Sequence, residues 1–323
     1  MRVFVTRRIP EEGIRLLERE CEEVEVYPYD RIPSKKEIIN GLKGKDALLC
    51  LLTDRIDREV ISSNPNLKVI SNYAAGYDNI DVDEATKRGI VVTNTPDVLT
   101  NATAELAWAL LFAVARRVVE GDKFTREGRF KGWSPTLLLG KELSGKTLGV
   151  IGAGRIGTAF ALKAKCFNMK VLYFNRSRNE VLEDKLGAKK VDLDTLLRES
   201  DFISIHLPLT KETYHLIDYD KICMMKRDAI IVNTARGAII KEGDLVKALR
   251  EKRIFGAGLD VYEKEPKITD ELKNLENVVL LPHIGSATLE TRTKMSILAA
   301  ENLIKALRGR RPKYCVNPEV FKD

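Results

Sequence analysis

Short apolar runs alternate with amphipathic segments along most of this chain, and that alternation restricts its fold more than any other feature. RVFVT, DALLCLL, LKVISNYAA, IVVTNT, KTLGVIG, KVLYFN, DFISIHL, AIIVNTA, GAGLDV and NVVLLPHIG read as strands. Strands that are apolar on both faces belong to parallel sheets covered by helices. Helical segments lie between them. One is PEEGIRLLERE, where Pro10 and the following glutamates suit a helix start. The pattern predicts an α/β chain built from doubly wound parallel sheets.

The alternation is broken once. Residues 100–128, TNATAELAWALLFAVARRVVEGDKFTREG, read as one long helical stretch, followed by a loop, GRFKGWSPTLLLGKEL. A length of 323 residues suits about two domains. The change near residue 100 marks the boundary between residues 1–99 and a second domain over 100–288. A final helix over roughly 288–308 is free, on this reading, to pack on either part.

Composition narrows the class. Of 54 Lys+Arg and 47 Asp+Glu, residues 1–99 hold 15 and 18, which leaves 39 and 29 for the rest. The only dense basic run is RGRR at 308–311, so the excess suits an anionic cofactor better than nucleic acid. Cys21, Cys50, Cys166, Cys223 and Cys315 form no CxxC pair, which argues against a metal site or a disulfide scaffold. No run approaches the roughly 20 apolar residues of a membrane helix. The N-terminus lacks the apolar core of a signal peptide. The chain reads as a cytoplasmic protein without membrane or nucleic-acid partners.

The second part carries a dinucleotide signature. Gly152, Gly154 and Gly157 form GxGxxG directly after the strand KTLGVI and at the start of a helix. The first glycine permits a tight turn, the second lets backbone approach a pyrophosphate, and the third lets helix and strand pack closely. Helix N-terminal amides then hold the phosphates. At the end of the next strand, NAD enzymes usually carry an acidic residue for the ribose hydroxyls; here Asn175 stands, followed by Arg176, Ser177 and Arg178. No carboxylate there repels a 2′-phosphate, and two guanidiniums are available to bind one. This loop favours NADP(H), with NAD(H) remaining possible.

Three polar residues follow three different strands. Arg236 follows AIIVNTA, Glu265 lies in the loop after GAGLDV, and His283 follows NVVLL. The carboxyl ends of strands are where open α/β sheets bind ligands. Hydride transfer to a ketone needs a proton donor, and histidine suits that task. A neighbouring carboxylate favours imidazolium, and arginine holds a carboxylate bidentately. Arg, Glu and His together suit a 2-keto acid. Of the other histidines, His206 lies inside the strand ISIHL and reads as packed or cofactor-adjacent, and His215 reads as structural.

The segments YAAGYDNID, TNATAELA, GAGRIG, LPLTKETYHLI, NTARGAII, AGLDVYEKEP and LPHIGSAT resemble those of D-isomer-specific 2-hydroxyacid dehydrogenases, in particular the glyoxylate/hydroxypyruvate reductase branch. The resemblance covers nearly the whole chain. It implies a flavodoxin-like substrate domain over 1–99 closed by 289–323, and a Rossmann cofactor domain over 100–288. It implies that Glu265 orients and charges His283, the proton donor, and that Arg236 binds the substrate carboxylate and keto group. The amides of Ala75 and Gly76 bind the same carboxylate. Gly154, Arg155, Ile156 and Gly157, then Asn175–Ser177, then Thr234, Ala235 and Arg236, then His283–Gly285 touch the cofactor. Asp260 faces the nicotinamide carboxamide. A homodimer is implied, and the loop near Trp133 resembles the branch's intersubunit arm.

Formate dehydrogenases of this family place Gln where Glu265 stands, which disfavours that activity. D-lactate and phosphite dehydrogenases share the triad. Some relatives act instead as dinucleotide-sensing binding proteins, and that alternative stays open at this point.

Overall fold

The structure, a computed structural model, describes residues 1–321. Lys322 and Asp323, the end of the segment 289–323, lie outside the described residues. The described chain divides into two compact units, Met1–Leu99 with the chain from Ser286 onward, and Thr100–Gly285.

The first unit is built on a parallel sheet of β1 (Arg2–Val5), β2 (Glu23–Val26), β3 (Ala47–Leu51), β4 (Val69–Tyr73) and β5 (Val91–Thr93), in the order β2-β1-β3-β4-β5. The inner strands ALLCL and VISNY are buried almost throughout, as two covered faces require. The edge strand EVEV alternates exposed glutamates with half-buried valines, and its charges discourage pairing with another chain. The helix Leu289–Leu307 belongs to this unit. Ser71 Oγ donates to the Ala299 carbonyl at 2.9 Å, and Tyr73 Oη donates to that of Arg292 at 2.8 Å. The helix Glu11–Glu20 crosses it closely, with Gly13 against the Ser296 backbone. Thr288 caps the C-terminal helix by accepting from the Thr291 amide at 3.1 Å.

The second unit holds β6 (Thr147–Ile151), β7 (Lys170–Phe174), β8 (Lys189–Lys190), β9 (Phe202–Ile205), β10 (Ile230–Asn233), β11 (Gly256–Leu259) and β12 (Val278–Leu280). They run parallel in the order β12-β11-β10-β9-β6-β7-β8. Both faces are packed. Ile231 joins Leu196, Ile203 and Leu249 on one side, while Ile230 and Val232 join Leu110, Phe160 and Tyr173 on the other. This two-sided burial is why β10 reads as a continuous apolar run.

Two expectations need correction, and two elements are additional. The stretch 100–128 is not one helix; it forms Thr100–Ala115 and Val118–Arg126. The returning segment satisfies the helix end: the Lys141 amide donates to the Ala115 carbonyl at 2.7 Å, in place of the amide of a further turn. Arg117 takes a left-handed conformation at the break and pairs with Glu120. His206 is not inside a strand but one residue past the end of β9. The short β8 and the helix Glu180–Leu186 were not expected, because neither presents a long apolar run.

Candidate active site

The candidate residues of the second unit sit at the carboxyl ends of its parallel strands. GAGRIG joins β6 to the helix Arg155–Lys163, with Gly154 as N-cap. Gly152 has φ of +96°, and a β-carbon there would lie 2.8 Å from the His206 carbonyl carbon. At Gly157 a β-carbon would collide with the Gly152 carbonyl oxygen. At Gly154, by contrast, the space is open. Two glycines are therefore required by the protein's own packing, while the middle one leaves a bare helix N-terminus, the arrangement that accepts phosphate.

Two further atoms point to a ligand in the same crevice. Thr234 Oγ1, just past β10, and Asp260 Oδ2, just past β11, are buried and have no hydrogen-bond partner among the described residues. Buried polar atoms in folded proteins are nearly always paired, so Thr234 Oγ1 is an available contact, while the Asp260 carboxyl also feels the Gly285 amide. Asp260 Oδ1 accepts from the Ile284 amide at 2.7 Å, which ties the β11 end to the His283 loop. Burial pushes the Asp260 carboxyl above the usual range, against the opposing pull of that amide. These features fit a bound dinucleotide.

In the loop after β7, Asn175 Nδ2 donates to the Ser177 carbonyl at 3.1 Å. Arg178 already has a carboxylate partner: its Nε donates to Glu183 Oε2 at 3.1 Å on the helix Glu180–Leu186. Lys190 Nζ donates to the Arg176 carbonyl at 2.9 Å, so the base of this loop carries a second cation.

His283 and Glu265 meet, with the Arg236 guanidinium near enough to act on the Glu265 carboxyl electrostatically. His283 Nδ1 lies 2.8 Å from Glu265 Oε2. Glu265 Oε1 accepts from the Tyr262 amide at 3.0 Å. Burial works against ionisation of Glu265. The hydrogen bond and charge of His283, the Tyr262 amide and the nearby Arg236 guanidinium together outweigh it and hold the carboxyl below its ordinary range. An ionised Glu265 only accepts, so Nδ1 carries the proton in that contact and Nε2 is the ring nitrogen left for other chemistry. His283 has φ of +56°, a conformation that non-glycine residues seldom adopt and that occurs where the surroundings enforce it. The Arg236 turn is fixed by Asn233, which is fully buried; its Nδ2 donates to the Arg236 carbonyl at 2.9 Å and its Oδ1 accepts from the Ala235 amide at 3.0 Å.

A profile described as "D-isomer specific 2-hydroxyacid dehydrogenase, NAD binding domain" matches residues 108–285. The chain is 52% identical over 324 residues to a glyoxylate reductase of Thermococcus litoralis, covering 99% of this chain and 98% of that one. This protein is a D-isomer-specific 2-hydroxyacid dehydrogenase. Two solved structures of the family bracket it. The NADPH-dependent glyoxylate/hydroxypyruvate reductase of Sinorhizobium meliloti, in complex with NADP and malonate, is 30% identical with a TM-score of 0.88, covering 100% of this chain and 98% of that one. The D-lactate dehydrogenase of Aquifex aeolicus, in complex with NAD and lactic acid, is 30% identical with a TM-score of 0.86, covering 98% and 99%.

As a D-2-hydroxyacid dehydrogenase of the glyoxylate reductase branch, the protein is an oxidoreductase with a nicotinamide-dinucleotide domain. Ala75 and Gly76 lie in the first unit, in the loop after β4. Among the described residues, no group of His, Cys, Asp or Glu is arranged to hold a metal ion, and no helix is long and apolar enough to cross a membrane. Two contributors to the geometry of this candidate site were not anticipated. Asn233 could have been noticed as the one polar side chain closing an apolar strand. Gly237 packs so tightly on the Tyr262 backbone that a β-carbon would overlap it, locking the Arg236 turn to the Glu265 loop. Nothing local in the sequence marks that contact.

Proposed function

We propose that this dehydrogenase reduces a small 2-keto acid, glyoxylate or hydroxypyruvate, to glycolate or D-glycerate, with NADPH preferred over NADH. The observation that carries the reading is the 2.8 Å contact of His283 Nδ1 with the Glu265 carboxylate, which that contact, the Tyr262 amide and Arg236 hold below its ordinary range against burial. Reduced nicotinamide supplies the hydride when bound. His283 Nε2 delivers the proton to the forming alkoxide, and Glu265 stabilises the imidazolium that precedes transfer. Arg236 grips the substrate carboxylate and polarises the keto oxygen. The amides of Ala75 and Gly76 take the same carboxylate.

On this reading the turn Gly152–Gly157, including Arg155 and Ile156, holds the pyrophosphate. Asn175, Arg176, Ser177 and Arg178 face the adenosine ribose. Thr234, Ala235, Asp260, His283 and Gly285 line the nicotinamide side. The absence of a carboxylate at Asn175 supports the NADPH preference, and the name of the S. meliloti relative agrees. The substrate domain is 1–99 with 289–323, and the cofactor domain is 100–288. The working form is a cytoplasmic homodimer. The exposed Phe130, Trp133 and Leu139 in one segment support an interface there.

The test is the initial rate of NADPH and NADH oxidation with glyoxylate, hydroxypyruvate and pyruvate. Rapid NADPH oxidation by glyoxylate or hydroxypyruvate is expected. Turnover of pyruvate with NADH alone would favour the D-lactate dehydrogenase reading. Tight cofactor binding without turnover of any 2-keto acid would favour a dinucleotide-sensing protein.

A further inference from the structure

The loop after β4 is held by its carbonyls. The Thr95 amide donates to the Ala74 oxygen at 2.8 Å. Asn94 Nδ2 donates to the Ala75 oxygen at 2.7 Å, and Asn72 Nδ2 donates to the Gly76 oxygen at 2.8 Å. A carbonyl only accepts, so both asparagines must present their NH2 groups here. All three anchors are buried, whereas Tyr77 is 46% exposed. The carbonyls of Ala74, Ala75 and Gly76 therefore face the interior.

Peptide planarity makes this consequential. In a trans peptide the C=O of one residue and the N–H of the next point in opposite directions. Fixing three successive carbonyls inward turns the N–H groups of Ala75, Gly76 and Tyr77 outward. Successive amides aimed the same way form an anion site without any charged side chain. The anchors are themselves braced. Asn302 Nδ2, from the helix Leu289–Leu307, donates to the Asn94 carbonyl at 3.1 Å. Asn72 Nδ2 is also 3.0 Å from Asn79 Oδ1.

We propose that Asn94 is the positioning residue that aims the Gly76 amide at the carboxylate of the 2-keto acid, beside the Ala75 amide that the Thr95–Ala74 contact turns the same way, with Asn72 bracing the loop. This rests on the function proposed above. Asn94 touches neither substrate nor cofactor on this reading; it acts through the orientation of one peptide plane.

The test uses Asn94→Asp, which keeps the shape but sets a carboxylate oxygen against the Ala75 carbonyl, and Asn94→Ala, which removes the donor. The proteins are saturated with whichever reduced cofactor binds more tightly. Calorimetry then gives the Kd of oxamate, and steady-state rates give KM and kcat for glyoxylate. At least a tenfold rise in oxamate Kd and glyoxylate KM is expected for the aspartate variant, and at least threefold for alanine. Saturated kcat should stay within about twofold and cofactor affinity should be unchanged. If the aspartate variant does not fold, the alanine variant decides. Unchanged oxamate affinity, no oxamate binding by the wild type, or an equal loss of cofactor affinity would each overturn the proposal. Failure of the functional reading looks different: the wild type would turn over no 2-keto acid, while oxamate still distinguished it from the variants.

Discussion

Glu242 and Glu263 cap each other's main chain: the Glu242 amide donates to Glu263 Oε2 at 3.1 Å, and the Glu263 amide donates to Glu242 Oε2 at 3.1 Å. Glu242 Oε1 also accepts from the Thr269 amide at 3.3 Å and from the Thr269 hydroxyl. One carboxylate at the start of the helix Glu242–Arg250 thus holds both ends of the loop that carries Glu265.

Removing that clamp should loosen Glu265 without touching it. Glu242→Ala is expected to lower kcat about tenfold to a hundredfold, since small misplacements of a catalytic group cost that much. Cofactor affinity, read by fluorescence titration, should change little. A variant with wild-type kcat would show that the clamp does not position the site.

The His–Glu pair should have a pH signature. The Glu265 carboxyl is held below its ordinary value in the folded chain, so folding favours its ionised form. That contribution is fully present above the unfolded value and is lost as pH falls through the folded one. The difference in Tm between wild type and Glu265→Gln should narrow as pH falls from about 5 toward 3. A gap that stays level to pH 3 would contradict this assignment. His283→Ala should lower kcat by about 10²–10⁴-fold, the usual worth of a positioned acid.

His206 should be silent to pH. Desolvation against Phe160, whose ring centre is 5.0 Å away, pushes its pKa down to about 3, and Ser204 Oγ lies 2.9 Å from Nε2. The chain has three histidines, so imidazole resonances are readily assigned by substitution. The His206 signals should not move between pH 4.5 and 8. A midpoint inside that window would refute the burial of this ring.

Cofactor choice should separate the two arginines. Arg176→Ala is expected to reduce kcat/KM for NADPH about tenfold or more, with NADH little affected, because a charge-assisted contact to phosphate is lost. Arg178→Ala should have the smaller effect, since Glu183 already engages that guanidinium. Equal losses with both cofactors would remove the 2′-phosphate from this loop.

The strand-end placement of Arg236, Glu265 and His283 was readable because each follows an apolar strand, and parallel strands deliver their carboxyl ends to one side of the sheet. The glycine turn was readable because its spacing is itself the mechanism. What escaped depends on partners distant in sequence. The helix break at Arg117 is completed by Lys141 reaching back to the Ala115 carbonyl. Arg178 looked available because its partner, Glu183, sits on a helix with no clear apolar stripe. Asn72 and Asn94 look like ordinary polar residues at strand ends until the Ala75 and Gly76 carbonyls are beside them.

The helix Leu289–Leu307 lies against β4 and the helix Glu11–Glu20, all in the first unit. Translation delivers these pieces at opposite ends of synthesis. A ribosome finishes the whole of Thr100–Gly285 before it makes the helix that covers Ser71 and Tyr73. The nascent first sheet must therefore wait with one apolar flank bare while the second unit already has every residue it needs. The part of the chain made first is the part completed last.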